Sequence, residues 1–249
     1  MMEPRSLSVF FPMYNERQNI SVLLEEACRV IPELGFKDYE ILIVDDGSRD
    51  GCDQIVEEWA HRNPHIRLVR HPRNLGYGAA LRTGFTQASR DIVFYTDCDL
   101  PADLQEIRRA LPLLRQADLV IGYRIKRYET LRRAIYSRIY NYLLRILFNV
   151  HVHDVNFSFK VVSRKVLERI QLTASTVFID GQLLSEARRY GFEIAEIPID
   201  YTPRRFGRSN FDSLKTAFAT LSELLAYRFE RWFGLARTPE KESAVHLHS

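Results

Sequence analysis

Apolar and polar positions follow two alternating rhythms along the first hundred residues. Ser6 to Pro12 (SLSVFFP), Tyr39 to Val44 (YEILIV), Ile66 to Val69 and Asp91 to Thr96 (DIVFYT) are short, continuous apolar runs. They are rich in β-branched and aromatic residues, the pattern of strands buried on both faces. Between them, Glu16 to Ile31 places Ile20, Leu23, Leu24, Ala27 and Val30 at helical spacing, and Asp50 to Asn63 also reads as a helix. Asn74 to Ala88 opens with glycines and then turns helical. Buried strands separated by helices predict a mostly parallel central sheet covered on both faces, an α/β fold. Such sheets take ligands at the carboxyl ends of their strands, and polar clusters stand at those ends here.

After Pro101 the rhythm changes. Asp103 to Arg115 reads as a helix, Leu119 to Tyr123 as a strand and Ala134 to Phe148 as an amphipathic helix. Asp154 to Val162 and Glu193 to Tyr201 read as further strands. Asp212 to Trp232 carries Leu214, Phe218, Leu221, Leu225 and Phe229 at helical spacing, and its end mixes aromatics with Arg228 and Arg231. That composition suits a membrane surface or a membrane-embedded partner protein. The expected organisation is a catalytic domain over residues 1–211, with halves meeting near residue 100. An amphipathic helix follows over 212–237, then a flexible polar tail over 238–249.

Composition narrows the class. Hydrophobic residues are 46% and charged residues 27% of 249, ordinary for a globular chain. A net charge of +3 is too small to argue for nucleic acid. The three cysteines, Cys28, Cys52 and Cys98, lie far apart and suggest a reducing, cytoplasmic setting rather than a disulfide framework. No run approaches the roughly 20 apolar residues of a spanning helix, and no signal peptide is read. Any membrane role is expected to be peripheral.

The candidate chemistry lies at the strand ends. Asp97-Cys98-Asp99 sets two carboxylates at i and i+2 after a buried strand, where both can turn toward one Mg²⁺ or Mn²⁺. Such a cation would steady a departing diphosphate. A solvated acidic turn has the same spelling. Asp45-Asp46-Gly47-Ser48 offers acceptors for a base N–H or ribose hydroxyls, and equally a turn with a helix cap. Asn74-Leu75-Gly76-Tyr77-Gly78 permits close backbone approach to a ligand, or is a tight turn. Lys126, Arg127, Arg132, Arg133 and Arg138 form one basic cluster, and Arg204, Arg205 and Arg208 another. Arginine suits bidentate phosphate recognition, though a basic surface facing solvent or anionic lipid has the same composition. His151, His153 and Asp154 alternate on a short segment, which favours a structural role. No G-x-S-x-G, P-loop or H-E-x-x-H motif occurs.

Taken in order, Pro12-Met13-Tyr14-Asn15-Glu16, VDDGSRDG, NLGYGAALRTGF and Asp97-Cys98-Asp99 resemble the inverting family 2 glycosyltransferases of the GT-A (Rossmann-like) fold. Val120 to Arg124, Asp154 to Lys160 and Arg204 to Asn210 are similar to segments of the branch that makes polyprenyl- and dolichyl-phosphate sugars. The resemblance spans roughly Ser6 to Phe211. It implies that Pro12, Tyr14, Asn15, Glu16, Asp45, Asn74, Gly76 and Arg82 line a pocket for a UDP- or GDP-linked hexose, with Asp46 on the base. It implies that Asp97 and Asp99 face a divalent cation and the donor diphosphate, with Cys98 lending backbone. Arg124, Arg133 and Arg204 would meet the phosphate of a polyprenyl phosphate acceptor. The chain departs from that branch at Pro101, where a Gln is usual, and at Asn210, where a Lys is usual; Asp103 is a distant substitute ligand. If the acceptor is a sugar hydroxyl instead, Asp180 in Phe178-Ile179-Asp180-Gly181-Gln182 is the candidate catalytic base, or else a helix-start acid. A non-catalytic nucleotide-sugar-binding subunit is the remaining alternative.

Overall fold

The computed structural model describes residues 6–125, 131–202 and 214–233, with the side chains of 131–133 and 214 outside that description. Seven strands form one sheet: β1 (Ser6–Met13), β2 (Asp38–Asp45), β3 (Ile66–Arg70), β4 (Ile92–Thr96), β5 (Leu119–Arg124), β6 (Phe159–Ser163) and β7 (Ile194–Ile199). Their order is β3-β2-β1-β4-β6-β5-β7. Only β6 runs against its neighbours β4 and β5; the other pairings are parallel. The helices are α1 (Arg17–Val30), α2 (Cys52–Arg62), α3 (Tyr77–Gln87), the single turn α4 (Ile107–Ala110), α5 (Leu131–Phe148), α6 (Arg164–Arg169), α7 (Phe178–Arg189) and α8 (Leu214–Trp232).

Strand alternation assigns each face its core. Leu7, Val9, Phe11 and Met13 of β1 point toward α1, α2 and the 102–110 segment. Phe10 points the other way, into a cluster with Leu81 and Phe85 of α3, Leu144 of α5, Ile179 and Leu183 of α7, and Leu224 of α8. Phe10 stacks on Tyr95 at 5.4 Å and meets Phe85 edge-on at 5.0 Å. With helices on both faces, polar function is left to the rim.

Two expectations change, and the direction of β6 is new. The helix expected over Asp103 to Arg115 is broken into two 3-10 segments around the one turn of α4. Pro112 lacks an N–H and disfavours α geometry at the residue before it. The strand expected from Asp154 begins at Phe159, and residues 154–158 instead form a rim loop. Finally, β6 is reversed. Its first residue, Phe159, lies opposite Thr96, the last residue of β4. The loop entering β6 therefore joins the loops leaving the parallel strands.

Candidate active site

The rim over β1 to β3 is held by side chains that bond to backbone. Asp45 is fully buried; its Oδ1 accepts the Ser48 N–H at 3.0 Å and its Oδ2 lies 3.5 Å from Arg70 Nε. Asp46 accepts the Leu75 and Gly76 N–H groups, both at 2.8 Å, and His71 Nδ1 at 2.7 Å. A carboxylate only accepts, so Nδ1 carries the hydrogen; the other ring nitrogen meets the Thr83 hydroxyl at 2.8 Å. The resemblance gives Asp46 to the nucleotide base; in the structure both its oxygens face the chain's own 71–76 segment. Asn15, in the left-handed region at φ 54°, donates its N–H to Ser48 Oγ and accepts from Arg49 N–H, each at 2.9 Å. Asp50 ties the start of α1 to that of α2 through the Arg17 and Cys52 N–H groups. Tyr14 and Pro12 are half-buried beside this lattice, while Asn74 is exposed.

The glycines of the 74–78 segment have a definite use. A Cβ on Gly78 would lie 2.5 Å from the Ser175 backbone carbon, and Gly76 sits at φ +96°. The close approach seen here is to the chain's own 174–175 backbone. Arg82 serves the same junction, donating to the Thr173 and Ala174 carbonyls at 2.6 and 2.8 Å. It is thus engaged with the loop before α7; the resemblance places it in the donor pocket.

Asp97 and Asp99 emerge together after β4, both partly buried, with Cys98 buried between them. A cleft of about 470 Å³ opens beside Asp99, lined among others by Asn19, Glu26, Asp103 and Thr202. Burial first, then the Asp99 charge, pushes the Asp97 carboxyl up to about 7. Two carboxylates that oppose each other's ionisation in this way fit a divalent cation, whose charge relieves the repulsion with oxygen ligands of the right hardness. Among the described residues no group of three or more His, Cys, Asp and Glu is arranged to hold a metal. Pro101 offers no ligand, and Asp103 instead caps its own 3-10 segment through Gln105 N–H at 2.8 Å.

Beneath the pair runs a buried polar network. Tyr77 OH reaches Asp97 Oδ1 at 3.4 Å. Tyr95 OH donates to Asp180. Lys160, fully buried, lies 2.8 Å from Asp180 Oδ1, 2.8 Å from the Phe157 carbonyl and 3.1 Å from Tyr95 OH. Asp180, in the first turn of α7, is 1% exposed. A catalytic base must come within hydrogen-bond reach of the proton it takes. The structure instead places Asp180 below the rim as the counter-charge of Lys160. Neither Lys160 nor Tyr95 is a candidate on sequence grounds, although a lysine inside the apolar run of β6 is a visible signal.

At the far rim Arg124 is clasped by Asp154, Nε to Oδ2 at 2.7 Å and Nη2 to Oδ1 at 3.2 Å. Its guanidinium also lies 5.7 Å from the Phe157 ring and 5.6 Å from the Tyr201 ring. His153 pairs with Glu196 at 2.9 Å and stacks on Tyr123. Lys126, Arg127, the side chains of Arg132 and Arg133, Arg204, Arg205, Arg208 and Asn210 lie outside the described residues, as does the tail from 238.

The sheet order, the reversed β6 and the acidic pair after β4 define a GT-A glycosyltransferase fold. A family model, "Glycosyl transferase family 2", matches residues 8–171. The chain belongs to that family and is a glycosyltransferase. It is 29% identical to polyprenol monophosphomannose synthase of Mycolicibacterium smegmatis, covering 92% of this chain and 91% of that one. It is 28% identical to undecaprenyl-phosphate 4-deoxy-4-formamido-L-arabinose transferase of Yersinia enterocolitica, covering 85% of this chain and 64% of that one. Among solved structures, glucosyl-3-phosphoglycerate synthase of Mycobacterium tuberculosis, in complex with Mn²⁺, UDP and glucosyl-3-phosphoglycerate, superposes with a TM-score of 0.70 at 20% identity. The match covers 89% of this chain and 79% of that one.

Proposed function

We propose that this glycosyltransferase moves a hexose, with inversion, from a nucleotide-sugar to a polyprenyl phosphate at a membrane surface. The observation that carries the reading is the meeting of two rims on one sheet. An acidic pair suited to a cation lies beside a lattice of oriented loops on one side and an arginine-bearing edge on the other. The relatives named for polyprenyl-phosphate chemistry support the acceptor class.

The loops over β1 to β3 bind and orient the nucleotide, with Asp46 fixing the 74–76 segment from below and Tyr14, Asn15, Glu16 and Asp45 shaping the pocket. Asp97 and Asp99 hold the divalent cation, which when bound supplies positive charge against the departing diphosphate. An acceptor phosphate oxygen attacks the anomeric carbon from the face opposite the diphosphate. The new carbon–oxygen bond forms as the old one breaks, and its electron pair leaves with the nucleoside diphosphate. A phosphate is already anionic near neutral pH, so the step needs positioning and neutralisation rather than a base. Arg124, oriented by Asp154, with Arg133 and Arg204, provides them. The buried, lysine-paired state of Asp180 favours this acceptor over a hydroxyl.

Among the described residues no helix is long and apolar enough to cross a membrane. Yet α8 exposes Phe218, Leu225, Phe229 and Trp232, and α5 exposes Ile135, Ile139, Tyr142 and Ile146. Apolar stripes of this kind support peripheral attachment, with arginines beside them for anionic lipid.

The test is transfer of label from a panel of UDP- and GDP-hexoses, with Mn²⁺, to a short-chain polyprenyl phosphate or to sugar hydroxyl acceptors. A lipid-linked product is expected, with loss of at least a thousand-fold in Asp99→Ala at unchanged melting temperature. Product on hydroxyl acceptors alone overturns the acceptor, and wild-type turnover by Asp99→Ala overturns the cation.

A further inference from the structure

We propose that Glu223 of α8 is a positioning residue for the nucleotide donor, setting the 74–78 segment through the loop over residues 173–176. This rests on the donor reading given above. The loop's N–H groups face α7 and α8. Thr173 and Ala174 donate to Gln182 Oε1 of α7 at 2.9 and 2.8 Å. Ser175 and Thr176 donate to Glu223 Oε1 and Oε2 at 2.7 and 3.0 Å. The hydroxyls of the same two residues add bonds of 2.9 and 2.6 Å, so the Glu223 carboxylate receives four donors, the capacity of its two oxygens. The loop's carbonyls face α3. Arg82 takes those of Thr173 and Ala174, and Gly78 N–H donates to that of Ser175 at 3.1 Å.

A single residue, Ser175, therefore joins α8 to the start of α3. The contact has no slack, since a Cβ on Gly78 would lie 2.5 Å from the Ser175 carbonyl carbon. Two residues earlier, Gly76 N–H bonds Asp46 Oδ2, and between the two glycines Tyr77 OH comes within 3.4 Å of Asp97 Oδ1. The segment that Ser175 holds thus spans from the β2 rim to the acidic pair. Seating α8 does not require this carboxylate. Leu224 is fully buried, and Tyr227 packs on Phe148 and Phe178 and donates to Glu186 of α7. Partial burial of a charge costs free energy that hydrogen bonds must offset. What Glu223 adds is aim: it fixes where Ser175 presents its carbonyl to Gly78.

The test is calorimetric titration of UDP and of GDP, each with Mn²⁺, into the full chain and its Glu223→Gln, Glu223→Ala and Tyr227→Phe variants, with amide exchange followed at Gly78. Glu223→Gln sets a donor against the Thr176 N–H, and about five-fold weaker nucleotide affinity is expected, with faster exchange at Gly78. Glu223→Ala removes all four bonds and is expected to weaken binding about ten-fold or more. Tyr227→Phe removes an anchor of the same helix away from the loop and should keep wild-type affinity and exchange. Wild-type nucleotide affinity in Glu223→Gln, or equal weakening in Tyr227→Phe, overturns the inference and leaves the donor reading standing. Should Glu223→Ala fail to fold, the isosteric Glu223→Gln decides alone. If the wild-type chain binds neither nucleotide, the donor reading fails and the positioning role falls with it.

Discussion

The two rims of the sheet manage charge with different emphasis, since the β1–β3 rim adds backbone N–H partners to its charge pairs. Over β1 to β3, carboxylates are spent on nearby backbone: Asp45 on Ser48 N–H, Asp46 on Leu75 and Gly76 N–H, Asp50 on Cys52 N–H. Over β5 and β6, buried charges are paired with each other: Arg124 with Asp154, Lys160 with Asp180. The first device shapes loops and suits the fixed outline of a nucleotide. The second stores oriented charge inside low-dielectric protein, where it acts on neighbours strongly because solvent does not screen it. The acidic pair Asp97–Asp99, after β4, stands between the two.

The sharpest way to break this contrast is Lys160→Met. Removing one partner of a buried pair leaves an uncompensated charge and is expected to cost about 3–5 kcal/mol in urea unfolding. Lys160→Met combined with Asp180→Leu is expected to recover most of that. Next comes Asp46→Asn, which turns an acceptor toward two N–H groups into a partial donor. A loss of about 2 kcal/mol is expected, with nucleotide-induced thermal stabilisation reduced as the 74–76 segment loosens. If Asp46→Asn proves costlier than Lys160→Met, the two rims are not different in kind.

Gly78→Ala tests the junction between them. The obstructing atoms are Ser175 backbone, which does not give as a flexible side chain would. About 1–3 kcal/mol is expected by thermal melting. A smaller effect is expected from Glu223→Gln, about 1 kcal/mol at pH 7. Glu223 of α8 accepts from the N–H and hydroxyl groups of both Ser175 and Thr176. Burial alone would raise its carboxyl, but these bonds, led by that from the Thr176 hydroxyl, outweigh burial and hold it below the usual 4.5. A depressed folded value means the contribution is present above 4.5 and lost as pH falls through the lower folded value. The gap between wild type and Glu223→Gln in melting temperature should therefore close on acidification; a gap constant to pH 3 would deny the bond network its charge. Least of all in stability, Phe218→Ser on the open face of α8 should stay within about 0.5 kcal/mol of wild type. It should nevertheless weaken cosedimentation with anionic vesicles.

Much of the architecture was legible because it is local. The apolar runs that became β1, β2, β3 and β4, and the periodicities that became α1, α2 and α3, need only neighbouring residues to be read. The 103–115 segment was misread because apolar spacing hides the effect of Pro112 on a short helix. The direction of β6 was not legible, since burial on both faces looks alike in either direction. Lys160 was visible as an anomaly, but its partner was not. The resemblance offers Asp180 as a base for a hydroxyl acceptor and its position offers it as a helix-start acid; only the tertiary structure puts an ammonium beside it.

The sequence by itself determined the class of fold and the position of the rim motifs after β1, β2, β3 and β4, the acidic pair among them, because strand ends and turns are encoded by residues a few places apart. The tertiary structure alone decided which way those groups face. It turned Asp46 toward the 71–76 segment, Arg82 toward 173–174 and Asp180 toward Lys160. These partners lie from 20 residues apart (Lys160 and Asp180) to 92 (Arg82 and Ala174), so their meeting depends on sheet order and strand direction, and neither leaves a mark on local periodicity.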